Sequence, residues 1–176
     1  MNTRRHEANP TNSGDYLLFD RDRFAPRNEV ESIVLHNTMT DSETILVESE
    51  RKLLLSGQVN GNWAVYVVCG RRTCNVFRYD ITNDETAKVP NPGGKYQYAS
   101  SVSDGGVVYF ARSGRGFCQN VRFMTWDGAT EPTLFFHLPD GRDLYDSFFD
   151  DTASSLYYER IGCRDRKSDI FIEPAP

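Results

Sequence analysis

The residues in this 176-residue chain whose type and spacing could do chemistry are four cysteines, three histidines, a short cluster of aspartates and several closely spaced arginines. Cys69 and Cys74 bracket an Arg-rich insert in WAVYVVCGRRTCNVFRYD, a C-x4-C spacing with three readings: half a metal site, a redox pair, or a staple across a hairpin. Catalytic dithiols use C-x-x-C at a helix start, and neither feature is present. A structural zinc site needs four ligands converging on one ion. Cys74, Cys118 and Cys163 instead recur at intervals of 44 and 45 residues, so equivalent positions point in parallel and do not converge. The staple is therefore the expected reading. Two apolar runs flank the insert, and directly opposed cysteines on paired strands are close enough to bridge in an oxidising compartment. Cys118 and Cys163, in the loops SGRGFCQN and IGCRDRKS, are expected as a second bridge; the alternative is four free thiols.

The remaining candidates for catalysis are sparse. His6, His36 and His137 have no metal-ligand spacing, and neither G-x-S-x-G nor a phosphate-cradling glycine loop occurs. No metal site and no cofactor are expected. DSFFDD offers Asp146, Asp150 and Asp151, and a carboxylate pair of this kind can serve general acid–base hydrolysis of glycosides. The competing reading makes Asp150 and Asp151 turn formers, counterparts of Asn60 and Asp104.

Elements must position any of these groups, and the composition says of which kind. The chain is 39% apolar but 12% aromatic, with 11 Phe and 9 Tyr, a balance that favours a β-rich globular protein over disorder. A net charge of −5 argues against a nucleic-acid binder. No apolar run approaches the ~18 residues of a membrane span. The opening MNTRRHEANPTNSG has no apolar segment after its Arg pair, so no signal peptide is expected. Residues 1–13 read as a flexible polar arm.

From residue 14 to 174 a repeat of about 45 residues recurs. Three turn-then-strand segments, VNGNWAVYVV, VSDGGVVYFA and FDDTASSLYYE, align on Tyr66, Tyr109 and Tyr157. A second series, SIVLHNTMTDSETILV, NVFRYDITNDETAKVP and NVRFMTWDGATEPTLF, aligns on Ile33, Val76 and Val121 and ends in SDIFIEP. Each unit reads as four short antiparallel strands, a to d, with turn residues between them. The expected fold is all-β, a β-propeller-type array of three and a half to four antiparallel blades near 15–48, 53–90, 97–138 and 144–173. A β-sandwich with coincidental spacing is the alternative.

The unit SDGGVVYFARSG…NVRFMTWDGATEPTLF resembles the blade of TolB-like, WD-like propellers, with a turn before strand b and DG between strands c and d. It is similar in particular to actinobacterial TolB-like proteins, which are usually exported and usually longer. The resemblance implies an extracytoplasmic protein-interaction or scaffold module and says almost nothing of activity. The chain departs from it in showing fourteen strands rather than sixteen: the first unit lacks strand a and the last lacks strand d. A partial ring follows, with an open edge that invites a homo-oligomer.

In such a blade the b–c loops share one end, and the a–b and c–d turns share the other. The b–c loops (21–31, 70–73, 112–119 and 160–168) are rich in Arg, whereas the opposite turns carry Asp41, Glu43, Asp84, Glu85, Asp104, Asp127, Glu131, Asp150 and Asp151. Arg71, Arg72, Arg112, Arg115, Arg164 and Arg166 are the expected binding residues. Their partner would be an acidic protein, an anionic glycan or a cell-wall polymer. The competing readings are a carbohydrate-active propeller using Asp146, Asp150 and Asp151, and a purely structural assembly domain.

Overall fold

The computed structural model describes residues 5–24, 29–91, 96–112, 121–139, 141–150 and 152–176. The runs between turn signals form fifteen strands and no helix among these residues. The first sheet holds β1 (Arg5–Ser13), β2 (Tyr16–Phe24), β3 (Glu29–Asn37) and β4 (Ser42–Ser49). The second holds β5 (Leu53–Asn60), β6 (Trp63–Cys69), β7 (Cys74–Asp80) and β8 (Glu85–Lys88). The third holds β9 (Tyr96–Ser103), β10 (Gly106–Arg112), β11 (Val121–Trp126) and β12 (Thr133–His137). The fourth is three-stranded: β13 (Arg142–Phe149), β14 (Ser155–Gly162) and β15 (Ser168–Pro174). Consecutive strands pair antiparallel within each sheet, and a single parallel pairing, Cys74 with Tyr96, links the second sheet to the third.

Turn chemistry ends the strands. Asp41 and Asp84 adopt positive φ (53° and 56°), a conformation that short polar side chains tolerate. The side chains of Asn37, Asp80 and Asp127 each accept hydrogen bonds from the backbone N–H groups two and three residues on, at 2.9–3.2 Å. The same device therefore closes the c–d turn of three sheets.

Three apolar clusters stack the sheets in chain order, so that the second and third sheets are covered on both faces. Leu18 and Ile33 meet Tyr66 and Val68 between the first and second sheets; Val65 and Val76 meet Tyr109 and Met124 between the second and third; Phe110 and Phe123 meet Leu156 and Tyr158 between the third and fourth. None of these clusters joins the fourth sheet to the first. The result is an arc of four propeller blades whose inner strands are β1, β5, β9 and β13. Gln58 ties three of those inner strands together: its Nε2 donates to Phe149 O (2.9 Å), and its Oε1 accepts from the N–H groups of Phe149 (3.0 Å) and Val102 (3.3 Å).

Two expectations are corrected. Residues 5–13 are not a polar arm but β1, paired with β2 from Arg5↔Arg23 to Ser13↔Tyr16, and they complete the first blade. Their polarity misled because an inner strand is held by neighbours on each side: Ser56 Oγ donates to Asn9 O, and Thr11 Oγ1 donates to Gly57 O. The repeat aligns on Tyr158, not Tyr157. Tyr158 is buried against the third sheet like Tyr66 and Tyr109 against their preceding sheets, whereas Tyr157 lies on the other face, stacked on Phe148. One residue of slip between adjacent tyrosines reverses the face.

Candidate functional site

The basic hairpin is built from β6 and β7. Cys69 and Cys74 are register partners at Cα–Cα 4.0 Å and form a disulfide, and Gly70 N–H donates to Thr73 O at 2.8 Å. Arg71 and Arg72 are thus held at the tip of a closed, covalently stapled turn, and both are exposed. At the β14–β15 turn, Gly162 N–H donates to Lys167 O (2.8 Å) and Arg166 N–H to Gly162 O (2.9 Å), which presents Arg164, Arg166 and Lys167 to solvent. Cys163, in this turn, is disulfide-bonded; its expected mate, Cys118, lies outside the described residues, as does Arg115.

Both turns lie at the same end of the arc. The connections from each outer strand to the next inner strand return to that end too, so exposed Arg51 and Lys52, between β4 and β5, belong to it. Arg142, at the start of β13, also lies there and lines a shallow pocket of about 420 Å³ with Gly141, Cys163, Arg164 and Asp165. The sequence reading missed these three by counting only b–c loops, although up-and-down connectivity itself places them there.

Arg112 differs from the rest of the rim. Its guanidinium pairs with Asp143 of the next blade at 2.6 Å, with the two side chains only 12% and 6% exposed, and lies over the rings of Tyr98 and Phe110. It joins blades rather than standing free. Arg21 is likewise inside β2, 5% exposed, bonded to Glu7 of β1 and to both carboxylate oxygens of Glu43 (2.6 Å each). Glu43 holds the Arg21 guanidinium more firmly protonated than usual.

The opposite end of the arc is acidic; Glu85 and Glu131 are exposed there, while four of its aspartates are engaged. Asp127 and Asp80 close turns, and their pKa values are lowered by those hydrogen bonds: from Thr130 and Ala129 for Asp127, from the Asn83 side chain foremost for Asp80. Asp84 accepts from the Tyr79 hydroxyl at 2.8 Å, and Asp104 from Trp63 Nε1 at 3.2 Å. Burial, together with the bond to Asp84, pushes Tyr79 up to about 12.

The aspartates weighed for catalysis separate. Asp150 accepts from Ser154 N–H at 2.8 Å and Ser155 N–H at 3.3 Å, as a turn former does. Asp146 lies on the inner strand β13, and Asp151 lies outside the described residues. No group of three or more His, Cys, Asp or Glu among the described residues is placed to hold a metal, and no helix among them is long and apolar enough to cross a membrane.

No family model matches the chain, and no curated protein matches its sequence. Solved structures do. A prolyl endopeptidase superposes over 97% of this chain and 28% of its own, at TM-score 0.67 and 13% identity. The β-propeller domain of the trilobed protease from Pyrococcus furiosus, which has an open velcro topology, superposes over 99% of this chain and 59% of its own, at TM-score 0.63 and 9% identity. A putative TolB from Agrobacterium tumefaciens superposes over 98% of this chain and 78% of its own, at TM-score 0.60 and 9% identity. The chain thus spans less than two thirds of the first two, and its structural neighbours include enzymes as well as TolB proteins. In fold, the chain is a TolB-like β-propeller of four blades.

Proposed function

We propose that this protein is a non-enzymatic binding module that recognises an acidic protein surface through the basic end of its blades. The observation that carries this reading is the asymmetry between the two ends. At the turn end Asp80, Asp127 and Asp150 are engaged in closing turns, while at the other end Arg71, Arg72, Arg164 and Arg166 are exposed and make no ion pair among the described residues. Arg51 and Lys52 extend the same field. A guanidinium fork can grip a carboxylate with two parallel bonds, and several on one face steer an anionic partner together. The disulfides support an extracytoplasmic setting, where an anionic glycan or cell-wall polymer is the competing ligand. Asp150 as a turn former weighs against the carbohydrate-active reading.

The test is capture of polyglutamate and of dextran sulfate by the wild type and by an Arg71→Glu, Arg72→Glu, Arg164→Glu variant. Exposed ionic contacts contribute ~0.2–1 kcal/mol each and reversal adds repulsion, so the triple reversal should weaken binding by about tenfold or more with little change in thermal midpoint. Binding should also fall steeply with salt, since the screening length is about 8 Å at physiological ionic strength. Glu85→Lys, an exposed reversal at the other end, should leave capture unchanged. Retention by polyglutamate favours the protein partner, and retention by dextran sulfate alone favours the polymer. Capture by the triple variant equal to wild type would remove the site from these arginines.

A further inference from the structure

The four inner strands line an open cavity of about 380 Å³ at the centre of the arc, separate from the basic rim, with Asn9, Pro10, Asp146 and Phe148 exposed at its mouth. Most of its polar lining is already engaged. Asn9 Nδ2 donates to Asp20 (2.7 Å), Ser56 Oγ donates to Asn9 O (2.9 Å), and Thr11 Oγ1 donates to Gly57 O (3.2 Å) while accepting from Val59 N–H (3.2 Å). The Gln58 carboxamide is taken up by Phe149 and Val102. Two groups stand apart. Ser100, 2% exposed, has a hydroxyl with no hydrogen-bond partner. Asp146 accepts from Ser147 N–H through one carboxylate oxygen (2.8 Å) and makes no ion pair among the described residues.

The rest of the wall is apolar, from Pro10, Leu55, Val67 and Phe148, and no Lys, Arg or His lines the cavity. A site with one carboxylate, one unmatched hydroxyl and hydrocarbon walls suits a ligand with a single cationic head and an apolar body. A sugar fits it poorly, because most of its hydroxyls would be buried without partners. An anion meets only negative charge. We propose that this cavity binds a small primary amine as its ammonium ion, with Asp146 as counter-ion, the Ser100 hydroxyl accepting an ammonium N–H, and Leu55, Val67 and Phe148 packing the hydrocarbon stem. Asp146 stays exposed at the cavity mouth, and partial loss of water around its carboxyl, with Glu159 nearby, raises it above the ordinary range. A bound cation relieves that cost, and protonation of Asp146 competes with it.

The experiment is calorimetric titration of the whole 176-residue chain with n-butylammonium, beside n-butanol, butyrate and glucose at equal concentration. Saturable binding of n-butylammonium alone is expected. Asp146→Asn should abolish it, and Ser100→Ala, which removes an unmatched hydroxyl and so leaves folding intact, should weaken it about tenfold. Affinity should decline on acidification at a pH above the usual range of an exposed aspartate (~3.9). Absence of n-butylammonium binding, equal binding by the Asp146→Asn variant, or binding of glucose or butanol as tight as that of the amine would each overturn the proposal.

Discussion

Arg112 and Arg71 carry the same charge at the same end of the arc, and their surroundings give them opposite roles. Arg71 sits on a stapled tip in water, whereas Arg112 is held against Asp143 across a blade boundary. Removing one partner of a buried pair leaves the other charge desolvated, so Asp143→Ala should destabilise the fold by about 3–5 kcal/mol, read as a lower denaturant midpoint at unchanged slope. A loss below about 1 kcal/mol would show that water reaches the pair. Asp127 allows a test by pH. Its folded-state pKa lies below that of the unfolded chain, so its contribution is present above the unfolded value of ~3.9 and is lost as pH falls through the folded one. Asp127→Ala should therefore melt earlier than wild type at pH 7, and the gap should close in strong acid. A gap constant with pH would mean that the ionised form plays no part in the turn.

At the scale of elements, blade stacking depends on how closely the inner strands approach. A Cβ on Gly57 of β5 would stand 2.7 Å from Ser100 Oγ and 2.8 Å from the carbonyl oxygens of Ser100 and Val65. Two of those atoms are backbone, so the second and third blades would have to part. Gly57→Ala should cost about 1–3 kcal/mol by overpacking, measurable by chemical denaturation, although Gly→Ala in an unconstrained strand would help. A neutral result would show that the blades slide freely there. Between the same blades, Arg78 is layered between Trp63 and Trp126, with its guanidinium 4.2 and 5.0 Å from the rings. Burial lowers its pKa. Cation–π contacts of this kind add about 0.5–2 kcal/mol and fix the rotation of one blade on the next.

For the whole molecule, the two ends of the arc are finished differently. On the outward face of the first blade, Phe19 is 5% exposed beneath Arg21, whose ion pairs to Glu7 and Glu43 give the blade a polar cover. On the last blade, β15 is the outer strand of its sheet, with Ile170 73% and Ile172 60% exposed. An apolar face beside an open strand edge favours association. The chain should run as a dimer or larger in gel filtration with light scattering, and Ile170→Lys with Ile172→Lys should shift it toward the 20.1 kDa monomer. A sharp wild-type monomer at all concentrations would reject this. The sequence by itself determined the all-β class, the blade period, the c–d turns and the Cys69–Cys74 staple, because alternation, turn chemistry and directly opposed cysteines are local. It could not show that β1 is an inner strand, that Tyr158 rather than Tyr157 faces inward, that Arg112 is paired, or that Ser100 and Asp146 line one cavity. Those depend on which blades touch, and the contacts that decide it, Gln58 to Phe149 and Arg112 to Asp143, join residues far apart in the chain.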